Sequence, residues 1–346
     1  MTPSSKKIRV LIVDDSLLFR KTLEQGLNRD PRIEVVGSAA DPIDAMNQIN
    51  SLRPDVVTMD VEMPRMNGIE FIKKLIPIHP IPVVVVSSLP LNVLDALSAG
   101  AVDFVKKPAV RSPQDFQNFI RDLGFKIKVA STAHVRQRPA APVPPPMPTL
   151  ISPADNMIIA IGASTGGTEA ILAVVRDLPA TTPGIIVVQH MPPGFTNMYA
   201  QRLNKICKMK VKEAENNDRV ERGRILIAAG EYHLRLARDP RGYFVKSEQG
   251  PKVSGHCPSV DVMFDSVASV AKRNAVGVIL TGMGQDGANG LLKMRQNGAY
   301  TIGQDKDSCV VYGMPMVAFQ LGGVSRQLPL DKIGDEIIRY LNGVRS

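Results

Sequence analysis

From Ile8 to about residue 126, short apolar runs alternate with segments whose apolar residues recur at helical spacing. IRVLIVDD, IEVVGSA, DVVTMDV, PVVVVSS and DFVKK read as strands, and FRKTLEQGLN, DAMNQINSL, IEFIKKLI, VLDALSAG and DFQNFIRDLGFKI read as the helices between them. Several strands are apolar throughout rather than alternating, which fits a sheet covered on both faces. Strand and helix in strict alternation predict a doubly wound parallel sheet over residues 1–128.

The alternation stops at residues 129–155, a stretch rich in proline that has little to bury and reads as a semi-rigid linker. It resumes over 156–346 with MIIAIGAS, EAILAVVRDL, GIIVVQHM, NMYAQRLNKI, VDVMFDSVASVAKR and AVGVILTGMGQDG. Shorter strands around RILIAAG, YHLRLAR and YFVKS predict a hairpin-like insertion near 225–247. The fold class is therefore α/β, with two doubly wound domains.

In the second domain, Gly162-Ala163-Ser164-Thr165-Gly166 follows a buried strand and opens a helix. It matches the G-x-S-x-G elbow, which lifts a serine hydroxyl beyond the sheet. A glycine-rich turn of this kind also suits phosphate, but the spacing is neither G-x-G-x-x-G nor G-x-x-x-x-G-K-[ST]. Equivalent strand-end loops hold His190 and Asp286. A weakly acidic serine needs a base, and the base needs a carboxylate to fix its tautomer. His256, in the loop PKVSGHCPSVD, and His233, expected to face outward on the hairpin, are competing bases. Asp261 and Asp265 compete with Asp286, although they stand at a helix start, where carboxylates cap N–H groups. The chain order Ser, His, Asp differs from the Ser, Asp, His of α/β-hydrolases.

In the first domain, Asp14 and Asp15 end the first strand, Asp60 the third, Ser87 and Ser88 the fourth and Lys107 the fifth. Ligands in such sheets bind at these carboxyl ends. Three carboxylates repel one another unless a hard cation such as Mg²⁺ lies among them. Asp60 then suits attack on phosphorus, with Lys107 and Mg²⁺ neutralising charge and Ser87 bonding a phosphoryl oxygen. Lys106 leaves open which lysine reaches the phosphate.

The net charge of +9 changes this picture little, because it is spread as +2 over residues 1–130, +2 over 131–154 and +5 over 155–346. With no helix-turn-helix or stacking signature, nucleic acid is not an expected ligand. The basic cluster from Arg202 to Arg224 is interleaved with acids and reads as a solvated face. No apolar run suffices for a membrane span and no signal peptide is evident, so a cytoplasmic location is expected. Cys207, Cys257 and Cys309 lie far apart and read as reduced thiols rather than a disulfide or zinc set.

On Asp14, Asp15, Asp60 with Met63-Pro64, Ser87 and Lys107 before Pro108, the first domain resembles a response-regulator receiver, a flavodoxin-like fold. The resemblance implies that Asp60 is phosphorylated by a histidine kinase, that Mg²⁺ assists, and that Ser87 and the aromatic Phe104 relay the change. On the elbow, Gln189-His190-Met191-Pro192 and Gly282-Met283-Gly284-Gln285-Asp286-Gly287, the second domain resembles the chemotaxis protein-glutamate methylesterases, the CheB family. That implies a Ser164, His190, Asp286 triad, an oxyanion donor at the Met283 N–H, Thr165 as an active-site neighbour, and no cofactor for ester hydrolysis. It also implies glutamyl methyl ester and glutamine hydrolysis on the cytoplasmic helices of chemoreceptors, activated by phosphorylation. Two other functions remain open at this point: a phosphorylation-controlled binding module whose serine does not turn over, and a serine esterase of a pathway unrelated to motility.

Overall fold

The computed structural model describes residues 6–63, 67–88, 90–108, 112–135 and 156–343. Pro64 and residues 136–155 of the expected linker lie outside them. The chain divides into two units between residues 141 and 142.

In the first unit, β1 (Ile8–Val13), β2 (Ile33–Ala39), β3 (Val56–Asp60), β4 (Val83–Ser87) and β5 (Asp103–Lys106) alternate with α1 (Leu17–Leu27), α2 (Pro42–Leu52), α3 (Gly68–Ile78), α4 (Pro90–Ser98) and α5 (Pro113–Ala130). The strands pair in parallel in the order β2-β1-β3-β4-β5. Order reverses between β1 and β3, which opens a crevice beyond their carboxyl ends. Helix starts follow cap chemistry: Ser16, Asp41, Asn67 and Ser112 each accept a first-turn N–H. Helix α5 continues to Ala130, two residues past the boundary expected at 128, and its C-terminus closes on Ser131.

The second unit contains β6 (Ile158–Ala163), α6 (Gly167–Val175), β7 (Ile185–Gln189), α7 (Phe195–Ile206), β8 (Lys210–Glu213), β9 (Arg224–Ile227), β10 (Tyr232–Asp239) and β11 (Gly242–Gln249). It continues with α8 (Val260–Val270), β12 (Ala275–Ile279), α9 (Ala288–Gln296), β13 (Tyr300–Gln304), α10 (Met314–Gln320), β14 (Arg326–Leu328) and α11 (Leu330–Gly343). Seven strands pair in parallel in the order β14-β13-β12-β6-β7-β9-β8. The switch point here falls between β6 and β12.

One expectation needs correction. RILI is not part of the hairpin: its apolar residues are buried, and as β9 it pairs in parallel with β7 and β8. The hairpin is β10 with β11, and its Leu234, Leu236 and Val245 share a buried cluster with Val260, Met263, Phe264 and Val267 of α8. Burying a side chain such as Phe264 contributes about 1.5–3 kcal/mol. This packing fixes the start of α8 against the sheet's carboxyl edge.

Candidate active site

β6 ends opposite the end of β7, with Ala163 paired to Gln189, so Ser164 and His190 are the first residues beyond neighbouring strands. The His190 N–H donates to Ala163 O at 3.2 Å, tying its loop to the end of β6, and the Ser164 N–H donates to Thr281 O at 3.0 Å, tying its loop to the segment that follows β12. Gly166, at φ +76°, makes the left-handed turn into α6 that a side chain would resist. Gln189 Nε2 donates to Ser164 O at 2.9 Å and His190 O at 3.2 Å, clamping the two loops together.

His190 Nε2 lies 2.8 Å from Asp286 Oδ2. A carboxylate only accepts, so Nε2 carries a proton, and in the neutral ring Nδ1 then carries the lone pair. Nδ1 is buried and has no hydrogen-bond partner among the described residues. Asp286 is buried and also accepts from the Ser259 hydroxyl at 2.8 Å, Val260 N–H at 2.8 Å and Asp261 N–H at 3.0 Å. Burial works to raise its carboxyl, but these bonds and the one from His190 outweigh it and hold the group below its ordinary range.

Thr165 is buried, and its carbonyl accepts the Thr281 hydroxyl at 3.0 Å. Met283 is exposed in the turn after β12, and its N–H donates to nothing among the described residues. The competing residues have other placements. Asp261 is buried and accepts the Gly290 N–H at 2.7 Å, while Asp265 pairs with Lys293 at 2.7 Å. His233 does not face outward: it is 4 % exposed, with Nε2 2.8 Å from Pro251 O and Nδ1 accepting the Ser259 N–H at 3.3 Å. The hairpin packs this face on α8, which turns the residue inward. His256 stacks on His190, with centroids 3.7 Å apart and planes 8° apart.

Sequence reasoning missed Ser259 and the stack, and named Gln189 only as part of a motif, without its clamping role. Ser259 is legible as an N-cap by position alone, being a serine before a helical run. A glutamine closing an apolar strand is a weaker signal.

In the first unit, Lys107 Nζ lies 2.8 Å from Asp14 Oδ2 and 2.5 Å from Asp60 Oδ2, whereas Lys106 is exposed. Lys107 is therefore the lysine in the acidic pocket. Oxygens of Asp14, Asp15 and Asp60 lie within 4.8 Å of one another, a hard donor set that fits Mg²⁺. Burial raises the Asp60 carboxyl and prevails over the Lys107 ammonium that opposes it. Burial works to lower Lys107, yet its bonds to Asp14 and Asp60 raise it. Ser87 is buried and its carbonyl accepts the Lys107 N–H at 3.0 Å; Phe104 is buried, with Lys126 Nζ 5.4 Å from its ring centroid. Among the described residues no helix is long and apolar enough to cross a membrane.

Residues 159–337 match the family described as CheB methylesterase, and residues 10–131 match the response regulator receiver domain. The chain is 55% identical over 338 residues to protein-glutamate methylesterase/protein-glutamine glutaminase 2 of Syntrophomonas wolfei, covering 97% of this chain and 98% of that one. It is 50% identical over 347 residues to the corresponding protein of Syntrophotalea carbinolica, with 97% and 98% covered. The crystal structure of the Thermotoga maritima CheB methylesterase catalytic domain matches with a TM-score of 0.53 at 38% identity, over 54% of this chain and all of that domain.

Proposed function

The chain belongs to the CheB family of protein-glutamate methylesterases and protein-glutamine glutaminases with a receiver domain, and we propose that Ser164, His190 and Asp286 carry its hydrolysis. The observation that carries this reading is the His190 ring, held at Nε2 by a buried carboxylate while Nδ1 stays unpartnered at the strand end beside Ser164.

Ser164 Oγ attacks the side-chain carbonyl of a glutamyl methyl ester as Nδ1 of His190 takes its proton. Asp286 keeps the other ring proton and stabilises the imidazolium. The tetrahedral oxyanion points to the N–H of Met283, which is free to donate, with Thr165 flanking it. Collapse breaks the C–O bond, and Nδ1 returns the proton to methanol. A glutamine gives ammonia by the same steps. Water, activated by Nδ1, then hydrolyses the acyl-serine.

The substrate glutamates lie on the cytoplasmic helices of chemoreceptors, so the protein acts in the cytoplasm. A histidine kinase supplies the phosphoryl group to Asp60, and this activates the hydrolase. Mg²⁺, when held by Asp14, Asp15 and Asp60, screens the incoming phosphoryl charge. Lys107 neutralises a phosphoryl oxygen, while Ser87 and Phe104 rearrange around the modified Asp60. Ester hydrolysis itself needs no metal.

Methanol release from methylated receptor is the test. Ser164→Ala and His190→Ala each abolish it while Asp60 is still phosphorylated, and the double variant is no slower than the singles because the two residues act as a unit. Methanol release by Ser164→Ala at the wild-type rate overturns the assignment; receptor binding without methanol release by the wild type shows a binding module instead.

A further inference from the structure

We propose that His256 is a positioning residue of the hydrolase: its imidazole, lying flat on the His190 ring, sets the plane of the base and thereby the direction of its Nδ1 lone pair. The proposal rests on the reading of Ser164, His190 and Asp286 given above.

One hydrogen bond fixes a point and leaves a plane free. Asp286 holds His190 at Nε2, and the opposite ring nitrogen has no partner among the described residues. A ring held only there can swing about its anchored edge and carry Nδ1 along an arc. Displacing a reacting group by about 1 Å costs on the order of a hundredfold in rate. The His256 ring, 3.7 Å away between centroids and within 8° of parallel, occupies the space that such a swing needs on one face.

The backbone is built to present that ring. Val253 N–H donates to His256 O at 3.0 Å and His256 N–H to Val253 O at 2.9 Å, closing a two-residue turn. Its central residues, Ser254 at φ +52° and Gly255 at φ +85°, both lie in the left-handed region, as a type I′ turn demands. A serine there accepts strain that a loop of no consequence would avoid. Buried His233 then fastens the ends of the loop, donating from Nε2 to Pro251 O and accepting the Ser259 N–H at Nδ1. The Glu231 N–H adds a bond to Cys257 O at 3.3 Å. Ser259 in turn donates its hydroxyl to Asp286. A single loop thus holds both the face of the base and the carboxylate behind it.

The stack needs a flat ring at residue 256 and not an imidazole. When His190 takes the serine proton, its charge develops over an aromatic face, which attracts it. Phenylalanine supplies such a face; alanine and asparagine do not.

The test uses the full-length chain, with kcat and KM for methanol release measured separately for wild type, His256→Phe, His256→Asn, His256→Ala and His190→Ala. His256→Ala and His256→Asn should lose kcat by about ten- to a hundredfold, with KM within about twofold of wild type. His256→Phe should stay within about threefold of wild type in both constants. Covalent labelling of Ser164 by an organophosphate should follow the same order, and the Phe and Asn variants decide the matter if the alanine variant does not fold. Wild-type kcat in His256→Asn overturns the proposal, as does His256→Phe falling as far as His256→Asn. Wild-type activity in His190→Ala would instead remove the triad on which the proposal stands, so the two failures are distinct.

Discussion

Asp286 and Asp261 cap each other's helices. Asp286 precedes α9 and accepts the Val260 and Asp261 N–H groups that open α8, while Asp261 in α8 accepts the Gly290 N–H in the first turn of α9. The exchange locks the start of both helices and the candidate catalytic carboxylate into one arrangement, in which α8's positive end also favours the charge on Asp286.

The two carboxyls are pushed in opposite directions, so their amide variants should differ. Asp286 lies below its ordinary range, so its stabilisation is present above about pH 4 and is lost as pH falls through its depressed folded value. Burial, with the nearby Asp286 charge adding to it, raises Asp261, so its charged form is disfavoured at neutral pH and that penalty is relieved as pH falls through the raised value. Asp286→Asn should lose kcat by about 10²–10⁴-fold and about 1–3 kcal/mol of stability at pH 7. Asp261→Asn keeps an acceptor for Gly290 and should match or exceed wild-type stability at pH 7 by up to about 1 kcal/mol, the gap narrowing toward pH 4.5. Urea unfolding at both pH values checks the pair; a larger loss from Asp261→Asn than from Asp286→Asn contradicts this account.

Gly282 lies against Ser164, the proposed nucleophile. A Cβ there would meet Met314 S at 2.5 Å, Ser164 Cβ at 2.7 Å and Ser164 N at 3.0 Å. Gly282→Ala should therefore displace the serine, costing about 1–3 kcal/mol of stability and on the order of ten- to a hundredfold in kcat. Gly343→Ala, where the added methyl meets nothing within 4 Å, serves as control and should stay within about 0.5 kcal/mol of wild type. Comparable kcat in the two variants would refute the steric argument.

Strands buried on both faces were legible because their side chains are apolar without interruption: β6, β7 and β12 are buried at every residue. β8 was not, because Lys-Val-Lys-Glu at a sheet edge buries only Val211 and looks like part of a charged cluster. β14 has three residues, none fully buried, and was missed for the same reason. The convergence of Ser164, His190 and Asp286 on one sheet edge was legible because Ser164 and His190 directly follow strands and Asp286 lies in the loop that leaves β12 at the same edge. The rule that set Asp261 aside, that carboxylates at helix starts serve as caps, applies equally to Asp286, and only the bond to His190 separates them. The inward His233 and the stacked His256 depend on how a hairpin packs on α8, a contact between distant segments that local pattern does not encode.

The three thiols should be slow nucleophiles. Burial pushes Cys309 up to about 12 and Cys207 up to about 11, and raises Cys257 as well. At pH 8 little thiolate exists at any of them. A disulfide reagent should react slowly with the folded chain, with fully buried Cys309 last, and rapidly with three thiols per chain in denaturant. Rapid native reaction at Cys309 would contradict its burial. Replacing it with alanine should leave methanol release unchanged, because no step of the proposed hydrolysis uses a thiol.

Phosphorylation and ester hydrolysis should separate by their metal requirement. The acidic pocket of the first unit groups three carboxylates around Lys107, whereas His190 and Asp286 are bonded to each other and leave no comparable oxygen cluster among the described residues. A small acyl phosphate with Mg²⁺ should raise methanol release by the full-length chain by about 5- to 150-fold, the range of ordinary coupling energies. Asp60→Asn should keep the unstimulated rate and ignore the donor, because an amide cannot take the phosphoryl group. Adding a chelator to wild type should cancel the stimulation and leave the unstimulated rate in place. Loss of that basal rate in chelator would place a metal in the hydrolase and undo the serine mechanism. Stimulation of Asp60→Asn would move the phosphorylated residue elsewhere.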